Sequence, residues 1–239
     1  LQHMVIVRAL RSDRVLFAAT KYVSNNLGPQ YVDPPPFDLQ AIYETSTNVT
    51  PLVFVLSPGV DFMYESLPGL QSAAAQQAIL HAWKAGPQTT LLRNQLVAMP
   101  DGGTVLIAPP PNPFRCPPGP YERVSMVAHK LQQENPTAKI IIADPKPKFS
   151  KMGLFQEGWG DHYAGMVDWI GEEFGGGNVS VDASAMTVTI DGEETKVDAC
   201  NVIPAMKAGR IADLAGVTEG NWAPVNAADM SSKADPDIH

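Results

Sequence analysis

Reactive chemistry in this chain centres on one cysteine. Cys116 stands in NPFRCPPGPYER at 112–123, directly after Arg115 and six residues before Glu122. The residues after it have helical spacing, which puts Cys116 at a helix N-terminus, where aligned peptide dipoles favour a thiolate. The adjacent guanidinium acts in the same direction. Glu122 can take or give a proton if the helix brings it back toward the sulfur. Two readings stay open on residue chemistry alone: a reactive thiol beside a carboxylate, or a loop cysteine that packs. The other cysteine, Cys200, occupies an apolar strand position in VDACNVIP. Two cysteines so far apart build neither a structural zinc site nor a disulfide-dense scaffold. His3, His81, His129, His162 and His239 show no metal spacing, so no metal site is expected. Trp83 and Lys84, in HAWKAG, suit contact with a cofactor and equally suit a helix-end tryptophan packed on a core.

The elements that must position these residues follow from periodicity and breakers. Residues 4–27 read as helical, and Pro34-Pro35-Pro36 then holds the chain extended as a connector. PLVFVLSPG at 51–59 reads as a buried strand ending in a turn. Residues 70–98 carry two helical stretches separated at Gly86-Pro87. Asp101-Gly102-Gly103 is a tight turn, TVLIAPP a short buried strand, and YERVSMVAHKLQQ a helix that Asn135-Pro136 stops. AKIIIADP is the next strand, ending in Asp144. Strand, loop, helix and strand over 104–144 make a βαβ unit, so the two strands should be parallel with helices over the sheet.

A dinucleotide site would open this crossover with closely spaced glycines whose amides approach the pyrophosphate. Here the turn is PPPNPFRCPPGP. Proline has no amide hydrogen, so the turn makes a poor phosphate cradle although Asp144 stands where a ribose-binding acid often lies. The expectation is a dinucleotide-binding fold that holds no NAD. Residues 179–203 alternate around Asp191-Gly192 as a β-hairpin does, and a short helix, MKAGRIADLAG, precedes a tail of low apolar content.

Composition sets the outer bounds. The chain has 239 residues and 44% hydrophobic content, enough for a packed core. A net charge of −8 argues against an extended nucleic-acid footprint, because such binding rests on neutralising phosphates. No run of 18 apolar residues occurs, so no membrane span is expected, and no signal peptide is read at the start. The 19 glycines and 22 prolines together exceed ordinary usage, and much of the excess proline lies at 34–36 and 109–120, so those interruptions are local.

From about residue 60 onward the chain resembles the flavoprotein subunit of flavocytochrome c sulfide dehydrogenases. The resemblance rests on HAWKAGPQT at 81–89, MPDGGTVLIAPP at 99–110, NPFRCPPGPYER at 112–123, KIIIADPKPKFSKMGLF at 139–155 and NVIPAMKAGRIADLAG at 201–216. It implies an α/β fold, namely an incomplete glutathione-reductase-like flavoprotein with two dinucleotide-binding domains and an unrelated N-terminal extension. It also implies FAD as cofactor, sulfide as substrate and a c-type cytochrome subunit as electron acceptor. By this resemblance Cys116 matches one half of a redox disulfide, and Glu122 matches the base near the flavin. Trp83, Lys84, Pro204 and Lys207 are the expected cofactor contacts. Members are periplasmic, and nothing in this sequence indicates the compartment.

Two departures from that pattern stand out. The family's partner cysteine lies in a GWCPVD-like segment, and the matching segment here is NWAPVN, with Ala223 at the cysteine position. Cys200 is poorly placed to substitute. The glycine-rich FAD motif and its covalent flavin cysteine are also missing, and the chain stops at DPDIH, before a further flavin-contacting segment. Sulfide oxidation is therefore expected to be impaired or lost.

The first 59 residues resemble an axonemal dynein heavy chain at the approach to its last AAA module, through RALRSDRVLFAATKYVSNNLGPQYVDPPPFDL and TPLVFVLSPG. The pattern ends after Gly59 with no phosphate-binding loop. The join at Pro58-Gly59 suggests a fusion or an artefact of assembly. The resulting division is a dynein-like segment at 1–59, a partial FAD-domain segment at 60–98, a pseudo-NAD-binding domain at 99–178, and a β-rich return to the FAD domain at 179–239. The alternatives are a dynein-derived structural or motor-associated piece and a non-catalytic α/β interaction domain.

Overall fold

The computed structural model describes residues 3–11, 14–23 and 59–239. The expected strand at 51–58 and the triple proline at 34–36 lie outside those residues. The chain divides into two compact units, Leu1–Asp61 with Lys207–His239, and Phe62–Met206.

In the first unit, the helix expected over 4–27 is replaced by an antiparallel hairpin of β1 (His3–Arg11) and β2 (Arg14–Val23). The residue types explain the correction. Val5, Ile6 and Val7 run consecutively, with Val15, Thr20 and Val23 on the return. β-Branched side chains are stiff and crowd a helix but fit a pleated strand. The same unit contains α5 (Arg210–Leu214), whose first amide donates to Asp61 Oδ2 at 3.0 Å. Ala208, Ala212 and Val217 form its small buried cluster. The MKAGRIADLAG segment begins as strand β11 (Met206–Ala208), paired with β3 (Val60–Phe62), and becomes helical only at Arg210.

The second unit is built on a four-stranded parallel sheet in the order β10-β4-β5-β6. The strands are β4 (Thr104–Ala108), β5 (Lys139–Ala143), β6 (Val167–Ile170) and β10 (Ala199–Val202). Side chains alternate across each strand, and both faces are covered. Val105, Ile107, Ile140 and Ile142 face one core, roofed by α3 (Gly119–Glu134) and α4 (Met152–His162). Leu106, Ala108, Ala143, Cys200 and Val202 face the other, covered by α1 (Ala73–Ala78) and an antiparallel meander. Helix α2 (Pro87–Ala98) buries Leu92 against Leu80 and Ala82.

Helix α3 follows directly from its residues. Pro118 and Pro120 start it, and Tyr121, Val124, Ala128 and Leu131 repeat at three- and four-residue spacing on its buried face. Asn135 ends it, donating to Pro100 O at 2.8 Å and accepting from the Gly102 amide at 2.9 Å. The parallel βαβ unit expected over 104–144 is present as read.

The meander comprises β7 (Val179–Asp182), β8 (Thr187–Ile190) and β9 (Glu193–Lys196). Asp191 and Gly192, both at positive φ, make the two-residue turn between β8 and β9. The first of the two helical stretches expected over 70–98 is shorter than read. It ends at Ala78, and the chain turns at Ala82, whose φ is +44°. Among the described residues no helix is long and apolar enough to cross a membrane.

Candidate functional site

Cys116 lies on the surface in the loop between β4 and α3, with its backbone in the left-handed region at φ +66°. For a residue with a Cβ that conformation costs about 1–2 kcal/mol, so the surrounding contacts must hold it. The Gly119 amide donates to Cys116 O at 2.9 Å. A Cβ on Gly119 would approach the Trp83 ring to 2.6 Å and Cys116 Sγ to 3.1 Å. Only a glycine lets this loop lie flat against the indole. Trp83 Nε1 also donates to Arg115 O at 3.3 Å. Trp83 and Cys116, nominated separately from sequence, thus share one side of the loop.

The indole is fixed from within by Arg123, in the second turn of α3. Its guanidinium carbon lies 5.0 Å from the Trp83 ring centroid, within cation–π range. It donates to the carbonyls of His81 at 3.0 Å and Ala82 at 2.7 Å, and to Asn201 Oδ1 at 2.8 Å. Buried Asn201, on β10, donates back to Leu80 O and His81 O at 2.6 and 2.9 Å. Burial lowers the Arg123 pKa to about 10, which leaves it charged at neutral pH. His81 is buried, stacks on Phe62 at a centroid distance of 4.0 Å, and accepts the Trp83 amide on Nδ1 at 2.9 Å. Desolvation, followed by the nearby charges of Lys84 and Arg123, lowers its pKa to about 4. It is therefore a neutral acceptor at pH 7.

At the end of β5, Asp144 is fully buried and fully engaged. Its Oδ1 meets Lys146 Nζ at 2.7 Å and the Lys146 amide at 3.2 Å. Its Oδ2 accepts from Tyr121 Oη at 2.6 Å and Trp169 Nε1 at 3.1 Å. Burial and the adjacent carboxylate raise the Tyr121 hydroxyl far above its ordinary value, so it stays a donor. Burial lowers the Lys146 pKa, opposed by its bond to Asp144. Lys146 Nζ also donates to Pro110 O at 2.8 Å and sits 5.2 Å from the Phe114 ring centroid. In a dinucleotide fold an acid at this position binds ribose hydroxyls. Here the carboxylate ties the proline turn to β5, α3 and β6.

A cavity of about 580 Å³ opens at the carboxyl ends of β10, β4 and β5, where open parallel sheets bind ligands. Pro109, Pro145 and Pro204 stand on the three strand ends, and Gly176, Gly177 and meander residues close the other side. A whole FAD requires amide donors or cations at its diphosphate. Among the described residues the cavity lining has no ionisable side chain, the β4–α3 turn is rich in proline, and the Arg123 guanidinium is committed to protein acceptors. As the described residues line it, this cavity does not fit the diphosphate of FAD.

The remaining nominated residues are dispersed. Glu122 is exposed on the first turn of α3, and among the described residues its carboxylate makes no hydrogen bond or ion pair. Lys84 is half-buried with Nζ 5.3 Å from the Phe62 ring centroid. Pro204 is buried and lines the cavity. Lys207 is half-buried on β11, in the other unit. Cys200 is buried, its thiol pushed up to about 12 by desolvation, and both cysteines are free thiols. Sequence reading missed Arg123, Asn201 and His81. Arg123 bonds residues 41, 42 and 78 positions away, so no local spacing marks it.

Residues 89–204, just under half of the chain, match the family model described as the central part of the sulfide dehydrogenase (flavocytochrome c) flavoprotein chain. The chain is also 59% identical over 61 residues to the Dynein-1-beta heavy chain of the flagellar inner arm I1 complex from Chlamydomonas reinhardtii. That match covers 26% of this chain and 1% of the relative. Dynein axonemal heavy chain 2 from Homo sapiens is 49% identical over 61 residues, with the same coverage. Dynein axonemal heavy chain 1 from Rattus norvegicus is 33% identical over 99 residues, 40% of this chain and 2% of the relative. The chain thus spans about 1–2% of the length of the curated relatives it matches. Two unrelated partial likenesses are present in one sequence.

Proposed function

We propose that the Phe62–Met206 unit is the central domain of a sulfide dehydrogenase-type flavoprotein of glutathione-reductase-like architecture, retaining one sulfur-handling thiol and no competent relay. Cys116 carries this reading. It is an exposed thiol braced against Trp83 inside the segment that matches the family model. Residues 99–178 form the pseudo-NAD-binding core of the enzyme, with 60–98 and 179–239 as flanking parts of its FAD domain. By the family resemblance, Cys116 and Glu122 would stand at the flavin of the whole enzyme, Trp83, Lys84, Pro204 and Lys207 would contact it, and a c-type cytochrome would be the electron acceptor.

This chain stops short of turnover for a reason of electron balance. Sulfide attacking a disulfide forms a persulfide and expels a thiolate, so the disulfide is the oxidant. A free thiol offers no leaving sulfur, and joining it to hydrosulfide requires the removal of two electrons. With Ala223 at the partner position and Cys200 buried, sulfide has no disulfide to attack.

The test is anaerobic mixing of the purified chain with FAD, sulfide and oxidised cytochrome c. The expected outcome is no cytochrome reduction above that of a Cys116→Ser variant, and no flavin retained through gel filtration. Cytochrome reduction that requires both sulfide and Cys116 would overturn the claim of lost turnover. A second reading concerns the N-terminal residues alone. The 59% identity over 61 residues supports a dynein heavy-chain origin for that part. Sequencing the source transcript across Pro58-Gly59 checks it, since a transcript without the join would make the two likenesses separate proteins.

A further inference from the structure

The cavity at the carboxyl edge of the parallel sheet takes no part in bracing Cys116, and its lining has a definite chemical bias. At about 580 Å³ it lies within the size range of small-molecule sites. Among the described residues no lining side chain is ionisable, so an anion entering it would lose hydration and gain no counter-charge from them. Lys146, next to the lining Pro145, is already neutralised by Asp144.

Backbone donors are scarce as well. Pro68, Pro109, Pro111, Pro145 and Pro204 line the cavity without an amide hydrogen. Several of the other lining amides donate internally: Ser66 to Met63, Leu67 to Tyr64, Gly176 to Gly171, Asn178 to Gly175 and Ile203 to Ala108. The Asn178 side-chain amide donates to Asp191 Oδ1 at 2.9 Å, which leaves its carbonyl as an acceptor. The Ser180 and Thr189 hydroxyls, on neighbouring strands β7 and β8, can act either way. The lining is mostly apolar; its side-chain acceptors are the Asn178 carbonyl and the Ser180 and Thr189 hydroxyls, together with the Ser66 hydroxyl, which already accepts the Ala205 amide at 3.4 Å.

We propose that this cavity binds an uncharged, flat small molecule that donates hydrogen bonds, and that it rejects phosphates and carboxylates. Proline rings supply the apolar faces for a planar ring. The Asn178 carbonyl and the two hydroxyls supply the acceptors. Asp144, buried and engaged, plays no part in recognition. The position inherited from dinucleotide-binding folds is kept, with its preference turned from anionic to neutral ligands. This assignment is independent of any sulfide chemistry at Cys116.

A matched pair of probes tests it on the full chain: indole-3-acetamide, neutral and donating, against indole-3-acetate. In titrations followed by ¹H–¹⁵N spectra, the acetamide should shift the amides of Gly177, Thr189 and Gly192. The acetate should bind at least ~10-fold more weakly. Thr189→Phe and Ser180→Phe, each filling the cavity from a different strand, should each weaken acetamide binding by at least ~10-fold. If one variant fails to fold, the other and the wild-type pair still decide. Equal binding of the acetate, shifts confined to other residues, no shift at millimolar acetamide, or binding indifferent to both fillings would each overturn the proposal.

Discussion

The two thiols differ through burial, and this difference can be measured directly. Cys116 is exposed at a loop held open by Gly119, whereas Cys200 lies between the sheet and the meander with its thiol pushed up to about 12. Iodoacetamide at neutral pH should alkylate Cys116 in the native chain and leave Cys200 at least ~100-fold slower until urea is added. Peptide mass spectrometry reads both sites, and comparable native rates would show that the strand β10 environment is open. His81 gives a second residue-level expectation. Its folded pKa, about 4, lies below the ordinary histidine value of 6.5, so the unfolded chain binds the proton first as pH falls. The stability due to neutral His81 is complete above pH 6.5 and is lost progressively as pH drops toward 4. Relative to His81→Gln, the wild-type advantage in unfolding free energy should shrink by about 2–3 kcal/mol between pH 7 and pH 4.5. Urea titrations at the two values check it, and a pH-independent difference would show that His81 protonates freely in the fold.

At the scale of elements, the buried Asp144–Lys146 pair is the joint between the proline turn and three elements of the sheet layer. Lys146→Met should cost about 3–5 kcal/mol, because it leaves the buried Asp144 carboxyl without its ion-pair partner. Adding Asp144→Asn should restore at least half of the loss, and urea denaturation reads both. No recovery in the double variant would mean that Lys146 acts through Pro110 and Phe114 alone. Gly176 makes a comparable joint: a Cβ there would meet Ile170 O at 1.9 Å, so Gly176→Ala should destabilise by about 2–4 kcal/mol in the same assay. Neither joint was legible from sequence, although Asp144 was read correctly as the acid ending its strand, because their partners come from distant loops. The β4–α3–β5 unit was legible, since Val105, Ile107, Ile140 and Ile142 obey the two-residue period and α3 has a clear apolar face. Asp191-Gly192 announced its turn by residue type. Strand β6 was not announced: VDWI is four residues with an acid at its second position. Helix α4 carries three glycines, which mask helical propensity. The β1–β2 hairpin is signalled by the consecutive β-branched run Val5, Ile6 and Val7, a stronger indicator than the scattered apolar residues that suggest a helix over 4–27.

At the scale of the whole molecule, two partial likenesses in one chain correspond to a question about folding. The match to the sulfide dehydrogenase model, 89–204, lies wholly inside the continuous unit Phe62–Met206. Both large apolar clusters also close within that unit, one on each face of the parallel sheet. Burial on both faces is the condition that an all-parallel sheet must meet, and the described residues of the two clusters that meet it all fall within 62–206. The other unit is discontinuous, and its described core is the small cluster of Ala208, Ala212 and Val217. A chain consisting of residues 62–206 should therefore melt in one cooperative step, within about 5 °C of the main transition of the full chain. Differential scanning calorimetry of the two chains makes the comparison. A broad, non-cooperative melt of the shorter chain would show that the sheet depends on residues beyond its own cores, and that the two sequence patterns fold as one body. A matching transition would make the parallel-sheet unit self-sufficient, with its thiol loop and its cavity carried by a domain that owes nothing to the dynein-like residues.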